Sequence, residues 1–332
     1  MRVAVLGSGA MGAIFGSAFA RAGAEVIFFD NRSDVVEAIK HRGLELDGVL
    51  GASSRRYAAS ASPGELGKAD VALVLAPSSA TAQVANAAAT CLTGDGYALT
   101  LQNGIGNWEA LAARLGAARV LAGSTYNSGA NLGPGRVLHT NLGATVIGEI
   151  GGALSARAHG IAERLSAAGL PVEVSGNVQG HIWSKFVHNC AINPVSAVTG
   201  LRPGEIARNA AAASLLDGIL DEVLAVVEAL GIVLPESDPR AHIRDHCWER
   251  YNRPSMLQHL ESGRRTEIDA LNGALVRRAR AIGVAVPVNE TIVLAVRALE
   301  TTAARNGAQI DEAALEAQAL ASPRGGRWGH PR

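Results

Sequence analysis

The sequence predicts an α/β fold: a mostly parallel sheet covered on both faces by helices in its first half, followed by an all-helical second half. Three observations predict it. Short apolar runs alternate with helical patterns up to residue 175, a glycine-rich turn follows the first apolar run, and strand signals vanish from residue 176 onward.

Taken in order, the strand candidates are residues 2–6, 25–30, 71–76, 97–101 and 119–123, and the helices between them cover 10–22, 34–41, 80–91 and 108–115. Residues 136–140 and 144–148, separated by Asn141, Leu142 and Gly143, read as a hairpin at one sheet edge. A helix over 153–168 and a strand at 171–174 complete this part. Beyond it, 3.6-residue periodicity predicts helices over 214–230 and 266–282, each followed by a glycine in the C-cap region, Gly231 and Gly283. The expected division is a first domain over 1–175, a second over 176–321 and a flexible tail over 322–332.

Composition excludes several classes. The 332 residues carry 30 basic and 30 acidic side chains, with 48% hydrophobic and 18% charged residues. Such a chain fills two domains, and its zero net charge argues against binding nucleic acid or anionic lipid through charge. Cys91, Cys190 and Cys247 form no paired motif, so neither a disulfide framework nor a zinc site is expected, and a reducing cytoplasm fits. The richest apolar stretch, 215–234, is interrupted by Asp217, Asp221, Glu222 and Glu228, short of the about 18 uninterrupted apolar residues that a membrane span needs. The first strand begins at once, with no signal-peptide pattern.

The strand at 2–6 runs into Gly7, Ser8, Gly9, Ala10, Met11 and Gly12, a GxGxxG that opens a helix. The first two glycines permit a tight turn and close approach of backbone amides to a pyrophosphate, and the third lets helix pack on strand. Asp30 stands at the end of the second strand, where the Rossmann dinucleotide fingerprint places an acid for the adenine ribose. A carboxylate there favours NAD and repels a 2′-phosphate. Arg32, two residues on, has the guanidinium that would clamp one. The choice between NAD and NADP stays open at this point.

Only three of the 30 basic residues are lysine: Lys40, Lys68 and Lys185. Lys185 lies in IWSKFVHNCAINP, residues 182–194, where a helix would put Lys185, Asn189 and Asn193 on one face amid Trp183, Phe186, Val187, Cys190 and Ala191. A buried amine with a lowered pKa donates a proton near neutrality. The alternative is a lysine bonded structurally between helices. Glu267, in the expected helix with Ile268, Leu271 and Leu275, is either an inward partner for Lys185 or an exposed helix acid, and sequence alone favours the second. Histidines 181, 188, 242, 246 and 259 lack metal-ligand spacing, and no metal is expected.

GSGAMG, QNGIG at 102–106, WSKFVHNCAINP, SMLQ and RTEIDALNG together resemble the ketopantoate reductase (2-dehydropantoate 2-reductase) family over nearly the whole chain. The resemblance implies a Rossmann domain joined to a helical domain as a homodimer, with NADPH-dependent reduction of a 2-keto acid in the cleft between them. By resemblance Lys185 is the general acid with Glu267 in support of it and of the cofactor. Asn103 lies near nicotinamide and substrate, Asn189, Asn193 and Ser255 hold substrate, and Asn31 and Gly129 join Gly7 to Gly12, Asp30 and Arg32 around the cofactor. The chain departs from the family at Ala76, Pro77, Ser78 and Ser79, where a lysine is common, at Asn31, which replaces an arginine, and at Pro203, which replaces a polar residue. A dehydrogenase of another 2-hydroxy acid and a non-catalytic cofactor sensor are the competing readings.

Overall fold

The structure, a computed structural model, describes residues 1–305. The expected tail at 322–332 and the end of the expected second domain lie outside the described residues. In chain order the first part holds β1 (Arg2–Leu6), α1 (Ala10–Arg21), β2 (Glu25–Phe29), α2 (Ser33–Glu37), β3 (Leu44–Gly48), β4 (Ser53–Arg55), β5 (Ala58–Ser60), β6 (Ala69–Val74), α3 (Thr81–Cys91), β7 (Leu92–Thr100), α4 (Asn107–Leu115), β8 (Val120–Thr125), β9 (Ser128–Gly133), β10 (Arg136–Asn141), β11 (Thr145–Glu149), α5 (Ala156–Ala167) and β12 (Val172–Val174). Helices follow: α6 (Val178–Thr199), α7 (Pro203–Ile206), α8 (Ala210–Ala229), α9 (Pro239–Glu249), α10 (Ser255–Glu261), α11 (Asn272–Ala281) and α12 (Pro287–Arg305). No described helix is long and apolar enough to cross a membrane.

The main sheet runs β12-β11-β8-β7-β6-β1-β2-β5 and is parallel except where β11 meets β8. Its central strands are apolar on both faces: Val3, Ala4, Val5 and Leu6 are fully buried, as are Val71, Ala72, Leu73 and Val74 beside them. That double burial is what a sheet covered by helices on both sides demands. Phe15 and Phe19 of α1 and Phe28 of β2 fill one covering layer. A separate core gathers Trp183, Phe186 and Val195 of α6 with Ile219, Val223 and Val226 of α8 and Leu275 of α11. Gly231 and Gly283 follow α8 and α11 as expected.

Two expectations are corrected. Residues 136–140 and 144–148 do not form a hairpin, because β10 and β11 belong to different sheets. β10 joins a second, four-stranded sheet ordered β4-β3-β10-β9, parallel to β3 with Val137 opposite Leu46, whereas β11 lies antiparallel to β8 in the main sheet. Each strand found a better partner than the other. β3 offers β10 an alternating strand, with Leu44 and Leu46 buried and Glu45 and Asp47 exposed, and the link between β10 and β11 is pinned to Tyr126, whose N–H donates to the Ala144 carbonyl at 2.8 Å.

The helix expected over 266–282 begins only at Asn272. Before it, Glu300 accepts from both the N–H and the hydroxyl of Thr266 at 2.6 Å, and the Thr266 hydroxyl accepts the Ile268 N–H, so the segment turns instead of coiling. Glu267 therefore sits on a turn. The first helical residues expected at 153 likewise give way to Ser155, which caps α5 by accepting the Ala158 N–H at 3.2 Å.

Candidate active site

The glycine-rich turn is built for close backbone approach. Gly7 has φ +106°, and a Cβ there would lie 2.5 Å from the Ala76 nitrogen on the neighbouring strand's exit; one on Gly12 would lie 1.9 Å from the Gly7 carbonyl oxygen. α1 starts at Ala10 with no side-chain cap, which leaves its first-turn N–H groups to face an anion. Above Gly9 the space is open, the nearest atom to a Cβ being Asn131 Nδ2 at 4.0 Å. Ala10 and Met11 are half-buried behind the turn. Gly129, on β9, packs over the same helix: a Cβ would stand 2.9 Å from Ile14 Cδ1 and 3.3 Å from Ala10 Cβ. The turn and helix thus form a cradle that fits a dinucleotide pyrophosphate.

Asp30 closes this end. Its Oδ2 accepts the Ser8 N–H at 2.9 Å and its Oδ1 accepts the Arg32 N–H at 3.0 Å, while the Ser8 hydroxyl donates to the Phe29 carbonyl at 3.2 Å. Arg32 points its guanidinium at Asp34, with contacts of 2.6 and 3.2 Å. That hydrogen-bonded pairing raises the Arg32 pKa and lowers that of Asp34. Asn31 is exposed.

The other end of the cleft is set by α6. Asn177 caps it, accepting the Gly180 N–H at 3.1 Å, and the helix passes through Pro194 without a break. Trp183, Phe186, Val187, Cys190 and Ala191 are buried as the apolar pattern requires. Lys185 is half-buried. Its ammonium donates to the Thr125 carbonyl at the end of β8 and lies 5.6 Å over the Tyr126 ring. Burial lowers its pKa to about 8, and the negative charge of Glu267 resists that fall. Along the same face, Asn189 is half-buried and Asn193 is 8% exposed, and neither amide bonds to another described residue. Ser255 is exposed at the first turn of α10, which packs on α6.

Glu267 faces inward after all. Its Oε2 accepts from Asn103 Nδ2 at 3.1 Å, joining the helical half to the loop after β7. That loop is fixed from below: the Asn103 carbonyl accepts from Ser78 Oγ at 2.5 Å and Asn107 Nδ2 at 2.8 Å, and Gln102 Nε2 donates to the Ala76 carbonyl at 2.8 Å. Ser78, noted in the sequence only as a departure, thus holds the asparagine in place.

Sequence reasoning missed the groups under Lys185. Asn127, buried, donates from Nδ2 to Thr125 Oγ1 and the Gly143 carbonyl, both at 2.9 Å, and the Thr125 and Thr145 hydroxyls meet at 2.8 Å. Its Oδ1 accepts from Nε2 of His139, 3.0 Å away and 1% exposed. This knot clamps the chain where it leaves the main sheet for the second one, immediately beside the carbonyl that holds Lys185. His139, on the same strand face as Val137, was the one available signal. Sequence also missed the Glu109–Arg278 ion pair at 3.1 Å, a second tie between the halves; burial raises the Glu109 pKa against the pull of that arginine. Among the described residues no group of three or more metal-ligating side chains gathers.

An ammonium poised to lose a proton, unpartnered amides beside it and a phosphate cradle across the cleft together suit proton delivery to a small polar substrate next to a bound dinucleotide. Comparison with known proteins identifies the family. The family described as "Ketopantoate reductase PanE/ApbA" matches residues 3–152, and its C-terminal counterpart matches residues 177–300. A 2-dehydropantoate 2-reductase of Archaeoglobus fulgidus is 35% identical over 301 residues, 90% of this chain and 98% of that protein. The crystal structure of a PanE/ApbA family ketopantoate reductase from Ralstonia eutropha superposes with a TM-score of 0.83 at 35% identity, covering 91% of this chain and 99% of that one. The ternary structure of D-mandelate dehydrogenase with NADH and anilino(oxo)acetate also superposes with a TM-score of 0.83, at 25% identity over 91% and 99% of the two chains.

Proposed function

The chain belongs to the ketopantoate reductase family and is an NAD(P)H-dependent reductase of 2-keto acids; on that premise we propose that it converts 2-dehydropantoate to pantoate with Lys185 as general acid. The observation that carries this reading is the Lys185 ammonium, half-buried with a pKa lowered to about 8, on the helix face that also presents Asn189 and Asn193.

The nicotinamide, when bound, supplies the hydride. The chain's own part is to bind, orient and protonate. Gly7, Ser8, Gly9, Ala10, Met11 and Gly12 hold the pyrophosphate, with Gly129 keeping β9 close to the helix start. Asn103, fixed by Glu267 and Ser78, orients the reacting groups. Asn189, Asn193 and Ser255 donate to the substrate's carboxylate and oxygen atoms. As negative charge grows on the keto oxygen, the Lys185 ammonium leaves the Thr125 carbonyl, stabilises that charge and gives it a proton. Glu267 keeps the amine charged until then. The second domain, over 176–321, is the substrate-binding part in this reading, and the first, over 1–175, holds the dinucleotide.

For the cofactor we propose NADH. Asp30 would repel a 2′-phosphate, Arg32 is already committed to Asp34, and Ala76, Pro77, Ser78 and Ser79 offer no cation. The NADH in the D-mandelate dehydrogenase structure supports this choice. All three cysteines are free, which supports a reducing, cytoplasmic setting.

Purified protein given ketopantoate should consume NADH, and Lys185→Ala should lose turnover while still binding NADH by fluorescence titration. Full activity in that variant would overturn the mechanism.

A further inference from the structure

We propose that Tyr126, His188 and His246 form an aromatic wall that receives the substituent on the keto carbon, so that the enzyme also reduces 2-oxo acids bearing a flat aryl group. The inference rests on the reading of Lys185 as proton donor to the keto oxygen.

The two flanks of Lys185 on α6 differ in chemistry. At about 100° per residue, Asn189 and Asn193 step to one side of the lysine by roughly 40° each, while His188 falls roughly 60° to the other side. On that second side the rings are continuous: Tyr126 meets His188 edge to face at 6.3 Å between centroids, and His188 meets His246 in the same manner at 4.3 Å. A 2-oxo acid carries its carboxylate and its substituent on opposite sides of the carbonyl. With the oxygen at Lys185 and the carboxylate on the amide donors, the substituent is directed to the rings.

Distance and exposure fit a binding surface. An aryl ring on the keto carbon would have its centre roughly 4–6 Å from the ammonium once the oxygen is in hydrogen-bond reach. The Tyr126 ring centre is 5.6 Å from the same nitrogen, so the guest ring and the tyrosine ring would lie at similar distances from the ammonium. Tyr126 is 40% exposed, yet enough protein surrounds it for burial to raise its phenol pKa, as on the concave wall of a cleft. Both imidazoles are uncharged at neutral pH, since burial pushes His188 down to about 3 and His246 to about 4, with Arg250, His242 and Lys185 adding to the effect. Such rings offer faces to an aromatic guest without an ionic partner to satisfy. His188 Nδ1 is buried with no hydrogen-bond partner, so no competing polar contact holds that ring.

The test compares phenylglyoxylate, ketopantoate and 2-oxoisovalerate with saturating NADH. The wall predicts reduction of phenylglyoxylate with kcat/KM within about tenfold of that for ketopantoate or above it. Tyr126→Leu and His246→Ala should each lower the phenylglyoxylate to 2-oxoisovalerate ratio of kcat/KM by about fivefold, mainly through KM, and Tyr126→Phe should keep the ratio. Because both substrates are measured on the same preparation, partial misfolding of a variant cancels. Turnover of the aliphatic acids without phenylglyoxylate, or an unchanged ratio in both variants, overturns the wall and leaves 2-keto acid reduction standing. Absence of turnover on all three acids with either nicotinamide cofactor overturns both.

Discussion

The two ends of the cleft are prepared in opposite ways. At the glycine-rich turn the charged side chains are paired within the chain, while the first-turn N–H groups of α1 stay open: both oxygens of Asp30 accept backbone N–H groups, and Arg32 is paired with Asp34. At α6 the side chains are not so paired: Lys185 has a single carbonyl acceptor, and Asn189 and Asn193 bond to no other described residue. The contrast separates two tasks. A site that recognises a constant ligand part can be finished in advance by backbone geometry, whereas a site that moves a proton needs groups whose partners are weak enough to be exchanged.

The largest effect should come from the unfinished end. Lys185→Arg keeps the charge but cannot release a proton, so kcat should fall by about 10²–10⁴, and an active arginine variant would show that charge alone suffices. The acid must be protonated to act, so reduction should be constant below about pH 8 and decline as pH rises through that value. Glu267→Gln removes the charge that holds the amine protonated, and the break in the pH profile should move down. A break that stays fixed would detach Glu267 from Lys185.

At the finished end, Asp30→Ala should lower the NADH to NADPH ratio of kcat/KM by about tenfold or more, because like charges in partial solvent repel by on the order of 1 kcal/mol or above. An unaltered ratio would place the adenine ribose elsewhere.

Asn127→Ala tests the support under Lys185. It strands His139 Nε2 in a buried place and takes the Nδ2 donor from the Gly143 carbonyl, costing about 1–3 kcal/mol in urea unfolding, with a drop in kcat as the Thr125 carbonyl loses its anchor. The smallest effect is expected from Arg278→Ala. Its ion pair with Glu109 joins two side chains that are 39% and 35% exposed, so unfolding should shift by less than about 1 kcal/mol.

Much of this contrast could be read from the sequence, and the unread part has a common cause. GSGAMG with Asp30 is local: strand, turn, helix and acid lie within 30 residues, and the structure reproduces them almost residue for residue. The face of Lys185, Asn189 and Asn193 is equally local, being fixed by helical spacing. Glu267 is the opposite case. Its inward direction depends on Glu300 holding Thr266 in a turn, 34 residues away, and no periodicity carries that information. The second sheet was missed for the same reason, because β10 pairs with β3 across 91 residues of chain, as in the Arg136–Glu45 contact, while a short link to β11 suggested the nearer partner. Tyr126 and Asn127 follow from that sheet and could not be found without it.

α6 packs on β8 and β11 at one end of its surface and on α8, α10 and α12 elsewhere. It is a rod in contact with both halves, with Lys185 in its N-terminal half. Neither half can melt alone without laying bare apolar surface that packs on the other, so the protein surrenders its architecture and the setting of Lys185 in the same event.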